Sequence, residues 1–176
     1  TGGRVSLAVY DCKKPIIGAI NGAAVGIGAT MTLPMDVRLA SDKARIGFVF
    51  GRIGVVPEAC STWFLPRIVG LQRALEWIYT ADIFGADEAV QSGLARSVHA
   101  GEDLVPAAQA LAKRFVEGRS PVAVALAVTL GDALVVKVVN TLAATETDFD
   151  ELEVMLGDVL AVCVDFAVPL LLRDDE

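Results

Sequence analysis

One histidine and three cysteines are all that these 176 residues offer to nucleophilic or metal chemistry that depends on such side chains. His99 lies in Arg96-Ser97-Val98-His99-Ala100-Gly101, which reads as a connection between two elements. A Ser-His-Asp or Cys-His triad would have to be built on that one ring, so triad chemistry is set aside. Cys12, Cys60 and Cys163 are odd in number and far apart. They have neither metal spacing nor the look of a disulfide framework, and free thiols in a reducing compartment are expected, with no metal site. Cationic charge is also short: 15 Lys and Arg against 22 Asp and Glu leave a net charge of -7. That balance argues against a nucleic-acid partner, although a few local cations can still hold an anionic small molecule. Thr1-Gly2-Gly3-Arg4 has no cleavable apolar signal, and the cytoplasm is the default expectation. The most apolar stretch, 121–144, is interrupted by Asp132 and Lys137 and broken by Gly131, so it reads as buried helix or interface and not as a membrane span.

Apolar residues are abundant. They make up 54% of the chain, and the mean hydropathy is +0.56. Either one domain has a large core for its length, or other subunits cover part of its surface. Within this background two segments carry chemistry. Val25-Gly26-Ile27-Gly28-Ala29-Thr30-Met31 is a glycine-rich turn able to open into a helix. Val55-Val56-Pro57-Glu58-Ala59-Cys60-Ser61-Thr62 sets an acidic residue beside a proline, ahead of Trp63, Phe64 and Leu65. Together they can supply backbone donors for a developing oxyanion and one carboxylate for proton transfer. Each alone also has a structural reading, the glycines as close helix packing and the Pro-Glu pair as a solvated corner.

The pattern along the chain predicts an α/β fold. Arg4 to Asp11 alternates weakly through Val5, Leu7 and Val9, and strand and helix both remain open there. Ile16 to Asn21 reads as a buried parallel strand ending at the Asn21-Gly22 turn. A helix is expected from Ile27 to Leu33, stopped by Pro34, then short strands over Val37–Ala40 and Arg45–Phe48. Helices are expected over Ser61–Val69, Leu71–Tyr79 and Asp87–Ser92, the last capped by Gly93. Glu102 to Glu117 has acids at its start and bases near its end, in the order that complements a helix dipole. Ser120-Pro121 caps another helix, and a last one is expected over Asp148–Val168. The change in pattern divides the chain into a sheet-containing core, 1–119, and a helical tail, 120–176.

Beyond these patterns, the chain resembles the crotonase superfamily, the enoyl-CoA hydratases and isomerases. The resemblance begins at Lys14-Pro15-Ile16-Ile17-Gly18-Ala19-Ile20-Asn21-Gly22 and runs through Gly28, Met35-Asp36-Val37-Arg38-Leu39-Ala40-Ser41 and Ala44-Arg45-Ile46-Gly47-Phe48. It resumes in Leu65-Pro66-Arg67-Ile68-Val69-Gly70, Arg73-Ala74-Leu75-Glu76, Ala86-Asp87-Glu88-Ala89 and Ser92-Gly93-Leu94-Ala95. It implies a spiral of strand-strand-helix turns followed by a helical oligomerisation tail, with the N-terminal part of the family domain absent. It also implies an acyl-CoA thioester as substrate, no permanently bound cofactor, and assembly as trimers or hexamers. The thioester enolate would be held by two backbone amides, one of them that of Ile27. Gly26, Gly28, Thr30, Phe50 and Trp63 are the substrate-binding positions the resemblance suggests.

Typical hydratases carry two glutamates, and their aligned places here hold Thr30 and Phe50. Pro57-Glu58-Ala59-Cys60-Ser61 resembles instead the Pro-Glu-Gly-Cys-Ser pattern of peroxisomal-type enoyl-CoA isomerases, which makes Glu58 the acid/base. A single carboxylate suffices to shuttle one proton, so isomerisation is slightly favoured over hydration. The alternative is a non-catalytic member of the fold that binds acyl-CoA or another protein. The family's terminal Phe-x-x-Lys-Arg-like segment, which helps hold CoA phosphates, is replaced by Asp165-Phe166-Ala167-Val168-Pro169.

Overall fold

The computed structural model describes residues 2–134 and 159–163. The chain opens with helix α1 (Gly2–Asp11), followed by strands β1 (Ile16–Ile20) and β2 (Ala23–Val25) and the single-turn helix α2 (Ile27–Thr30). Strands β3 (Val37–Ser41) and β4 (Arg45–Gly47) come next, then helices α3 (Phe50–Ile53), α4 (Ser61–Val69) and α5 (Leu71–Thr80). A third round is β5 (Ile83–Gly85), α6 (Ala86–Gln91), β6 (Val98–His99) and α7 (Gly101–Val116), before α8 (Pro121–Leu134) and β7 (Val159–Cys163).

Consecutive strands turn a corner from one sheet into another. One sheet has the order β6-β3-β1-β7 and the other β2-β4-β5. β1 pairs in parallel with β3, and their continuations β2 and β4 pair in parallel in the second sheet. The corner is fastened by the Arg45 amide donating to the Gly22 carbonyl at 3.0 Å and by the Ser41 hydroxyl donating to the Asn21 carbonyl at 2.5 Å. This is the α/β spiral of strand-strand-helix turns expected from the sequence. Every residue of β1 is buried, as a central strand covered on both faces requires. Ile17 and Ala19 pack with Leu39 against Leu104, Ala108 and Leu111 of α7, while Ile16 and Ile20 join the larger core. Phe48, Trp77 and Phe84 fill the other end of that core, with Trp77 and Phe84 stacked at 4.0 Å between centroids.

Arg38 ties these layers together. Its guanidinium is buried, donating to the carbonyls of Leu94 at 2.7 Å, Thr32 at 3.1 Å and Leu33 at 3.2 Å. Burial pulls its pKa down to about 10 against the opposing pull of Asp36, so it stays cationic at neutral pH. Asp36 accepts the Ile16 amide at 2.6 Å and pins the start of β1.

The structure decides or corrects several readings. The segment left open at Arg4–Asp11 is helical: alternation at 5, 7 and 9 contains the pair Val5 and Val9, four residues apart and therefore on one helix face. His99 belongs to a strand, opposite Ser41, and not to a loose connection. The helix expected over Asp148–Val168 is contradicted at Val159–Cys163, which forms a strand antiparallel to β1. Val-Leu-Ala-Val-Cys is an apolar, partly β-branched run that satisfies the open edge of β1. The rest of that expected helix, and the segment around Phe166, lie outside the described residues. Among the described residues, no helix is long and apolar enough to cross a membrane.

Candidate functional site

Gly26 makes the first wall of the site. It follows β2 with φ +60° and ψ -120°, a backbone conformation that side chains disfavour. Its amide donates to the Gly47 carbonyl at 3.0 Å, and its own carbonyl accepts the amides of Ala29 and Thr30, each at 3.0 Å. The turn is thereby locked to β4 on one side and to the first bonds of α2 on the other. As the leading amides of that turn, those of Ile27 and Gly28 have no acceptor within the helix. A Cβ built on Gly26 or Gly28 would meet nothing within 4 Å, so there is open space beside these amides.

The second wall is the segment from Gly54 to Ser61. Gly54 is left-handed at φ +69°, and so are Ala59 at +54° and Cys60 at +60°. Two successive non-glycine residues in that region store strain, which neighbouring bonds must hold in place. The Ser61 amide closes the turn onto the Glu58 carbonyl at 3.0 Å, and the buried Ser6 hydroxyl donates to the Ala59 carbonyl at 2.8 Å. Glu58 itself is exposed. Its carboxylate nonetheless lies beside α1. A Cβ built on Gly2 would collide with Glu58 Oε2 and come within 2.7 Å of Ile27 Cδ1. The carboxylate and the Ile27 side chain therefore lie against the same point of α1, a few ångströms from each other.

The other residues singled out from sequence fall into two groups. Thr30 is fully buried, its hydroxyl donating to the Ile27 carbonyl at 3.3 Å, and Phe50 is 3% exposed within the main core. Trp63 is half-buried on α4, and the Arg67 guanidinium covers its ring at 3.3 Å from the centroid. Burial, and secondarily the Glu58 charge, push the Cys60 thiol up from its ordinary value, which disfavours the thiolate a nucleophile would need. Among the described residues no group of His, Cys, Asp and Glu is arranged to hold a metal ion.

Sequence reasoning missed Gly2, Ser6 and Ser61. The first two are four apart, a signal that only a helical reading of α1 would have exposed. Ser61 is fully buried, and its hydroxyl has no hydrogen-bond partner among the described residues.

Comparison with known proteins places the chain in a family. The family model for enoyl-CoA hydratase/isomerase matches residues 4–153. Enoyl-CoA hydratase AFT3-1 of Alternaria alternata is 42% identical over 126 residues, which are 71% of this chain and 43% of that protein. 4-Chlorobenzoyl coenzyme A dehalogenase-1 of Arthrobacter sp. is 42% identical over 91 residues, 52% of this chain and 33% of that one. The crystal structure of an enoyl-CoA hydratase from Bacillus anthracis superposes with a TM-score of 0.73 at 32% identity, covering 77% of this chain and 53% of its own. The chain thus spans less than half the length of these curated relatives and about half of the solved structure. With the match extending over most of its residues and the strand-strand-helix spiral in common, the chain belongs to the enoyl-CoA hydratase/isomerase family.

Proposed function

We propose that the chain processes enoyl-CoA thioesters through an enolate, with Glu58 as the acid/base and the Ile27 amide as one donor to the thioester oxygen. The observation that carries this reading is the meeting of the Glu58 carboxylate and Ile27 at Gly2, beside open space at Gly26 and Gly28. Negative charge that develops on the thioester oxygen would be met by a donor already fixed by the Gly26 bonds, with no reorganisation at the moment of reaction. Glu58 would remove a proton from one carbon of the acyl chain and return it to another, ending in the protonation state in which it began. That cycle is a double-bond isomerisation. It needs one ionisable group, and Thr30 and Phe50, at the places where the resemblance puts hydratase glutamates, carry none.

Hydration is the second reading, favoured by the name of the Alternaria relative, an enoyl-CoA hydratase. Turnover of 3-hexenoyl-CoA and of crotonyl-CoA separates the two. Replacing Glu58→Gln is expected to lower the dominant activity by about 10²- to 10⁴-fold, the usual worth of a positioned acid/base. Undiminished turnover by this variant would remove Glu58 from the mechanism. Self-association as a trimer or hexamer belongs to the same reading. It is supported by exposed apolar side chains at Ile53, Val56, Leu71 and Tyr79, which are 65, 79, 62 and 76% accessible. Sedimentation as a monomer at concentrations well above those of the assay would contradict it.

A further inference from the structure

Helix α1 meets the Glu58 segment along one face. Gly2, Ser6 and Tyr10 recur every fourth residue and so lie one above another. Tyr10 makes an edge-on ring contact with Phe64 of α4 at 5.5 Å. One turn earlier, the buried Ser6 hydroxyl holds the Ala59 carbonyl at 2.8 Å. One turn earlier again, Gly2 faces the Glu58 carboxylate, with Glu58 Cδ 3.1 Å from where a Cβ would sit. The next residue, Gly3, has nothing within 4 Å of the equivalent point. Of two adjacent glycines in one helix, only the first stands where a side chain would meet the carboxylate. Space for the carboxylate is what the missing side chain supplies at position 2.

We propose that Gly2 is a positioning residue for Glu58: the bare backbone of α1 lets the carboxylate lie beside Ile27, and a side chain at position 2 would drive it away from the glycine turn. The inference rests on Glu58 being the acid/base. The two atoms within 3.0 Å of a Cβ at position 2, Glu58 Oε2 and Ile27 Cδ1, are the far ends of flexible side chains, so a methyl group there displaces the carboxylate, nudges the Ile27 tip and leaves the fold intact. Ser6, bonded to the Ala59 carbonyl, keeps the strained loop in register while the Glu58 carboxylate and the tip of the Ile27 side chain move apart.

The test is kinetic, on the full chain with 3-hexenoyl-CoA and crotonyl-CoA as probes. Gly2→Ala is expected to lower kcat by about 100-fold, the effect of displacing a reacting group by about 1 Å, with KM nearly unchanged. Gly3→Ala, on the open side of the same turn, is expected to match the parent. The shorter carboxylate of Glu58→Asp removes the Glu58 part of the clash, leaving only the tip of the Ile27 side chain to give way. Adding Gly2→Ala to Glu58→Asp should therefore cost less than about threefold, a non-additivity that general loosening of α1 would not produce. Full activity in Gly2→Ala together with an inactive Glu58→Gln overturns the role of Gly2 alone. Full activity in Glu58→Gln, or turnover of neither thioester by the parent, overturns the acid/base reading and the role of Gly2 with it. Equal losses from Gly2→Ala and Gly3→Ala, or fully additive losses with Glu58→Asp, would assign α1 a structural role only.

Discussion

The two walls of the candidate site are built by opposite means. On the glycine side, positive φ falls on Gly26, and the turn is bonded into β4 and α2 with Thr30 fully buried behind it. On the carboxylate side, positive φ falls on Ala59 and Cys60 as well as Gly54, and Glu58 and Val56 are exposed. The first wall rests in an unstrained conformation that its residue type allows. The second holds two strained residues by a single buried hydroxyl from another helix, together with its own turn bonds. The chemistry proposed for each wall fits this difference. An oxyanion donor gains from being immobile, whereas a carboxylate that takes a proton from one carbon and gives it to another needs to reach both.

The sharpest way to break the comparison is to undo the rigid wall from behind. Arg38→Ala would leave the buried carbonyls of Leu94, Thr32 and Leu33 without their cationic donor, at a cost of at least about 3 kcal/mol in unfolding by urea. Arg38→Lys should recover little of it, because an ammonium cannot span acceptors that a planar fork reaches together. A loss under about 1 kcal/mol would show that the hub is dispensable. Gly26→Ala comes next. It places a side chain at φ +60° and ψ -120°, with an expected cost of about 1–3 kcal/mol and loss of turnover through the displaced Ile27 amide.

Most of the glycine wall was legible in the sequence and most of the carboxylate wall was not. Lys14 to Phe48 declares itself through apolar runs, the Asn21-Gly22 turn and the two glycines, because a buried parallel sheet tolerates few other residue types. The Glu58 segment announced its carboxylate but not its backbone: nothing local in Pro57-Glu58-Ala59-Cys60-Ser61 tells that alanine and cysteine are left-handed, and one of the bonds that fasten the segment comes from Ser6, 53 residues away. The same holds for Gly2. Its function follows from what α1 packs against, and the alternation of Val5, Leu7 and Val9 concealed that α1 was a helix. Strand β7 escaped because its apolar run suits either structure until the free edge of β1 is known.

Strain in the second wall can be relieved by one atom group. Ala59→Gly restores glycine to the position it holds in the Pro-Glu-Gly-Cys-Ser pattern that this segment resembles, and removes a Cβ from a residue at φ +54°. Relief of left-handed strain amounts to about 1–2 kcal/mol, from which the lost methyl burial and the greater freedom of the unfolded chain subtract. A net gain of a few tenths to about 1 kcal/mol is expected by urea titration. A clear destabilisation would mean that burial of this methyl matters more than its backbone angle. No comparable gain is available at Gly26, which already has the residue its conformation favours.

The smallest effect reads the position of the carboxylate without any substrate. Glu58 contributes to raising the Cys60 thiol, second to burial, so removing its charge should bring the thiol part of the way back down. With Cys12 and Cys163 replaced by serine, the pH midpoint for alkylation of Cys60 is expected to lie above that of an unfolded cysteine and to fall in Glu58→Gln. The sign follows from the thiolate being the disfavoured form beside an anion: neutralising the anion lets the proton leave at lower pH. The fall should be modest, since Cys60 is half-buried and solvent screens much of the interaction. An unchanged midpoint would put the carboxylate away from its own loop, and the second wall would then have lost the group that distinguishes it from the first.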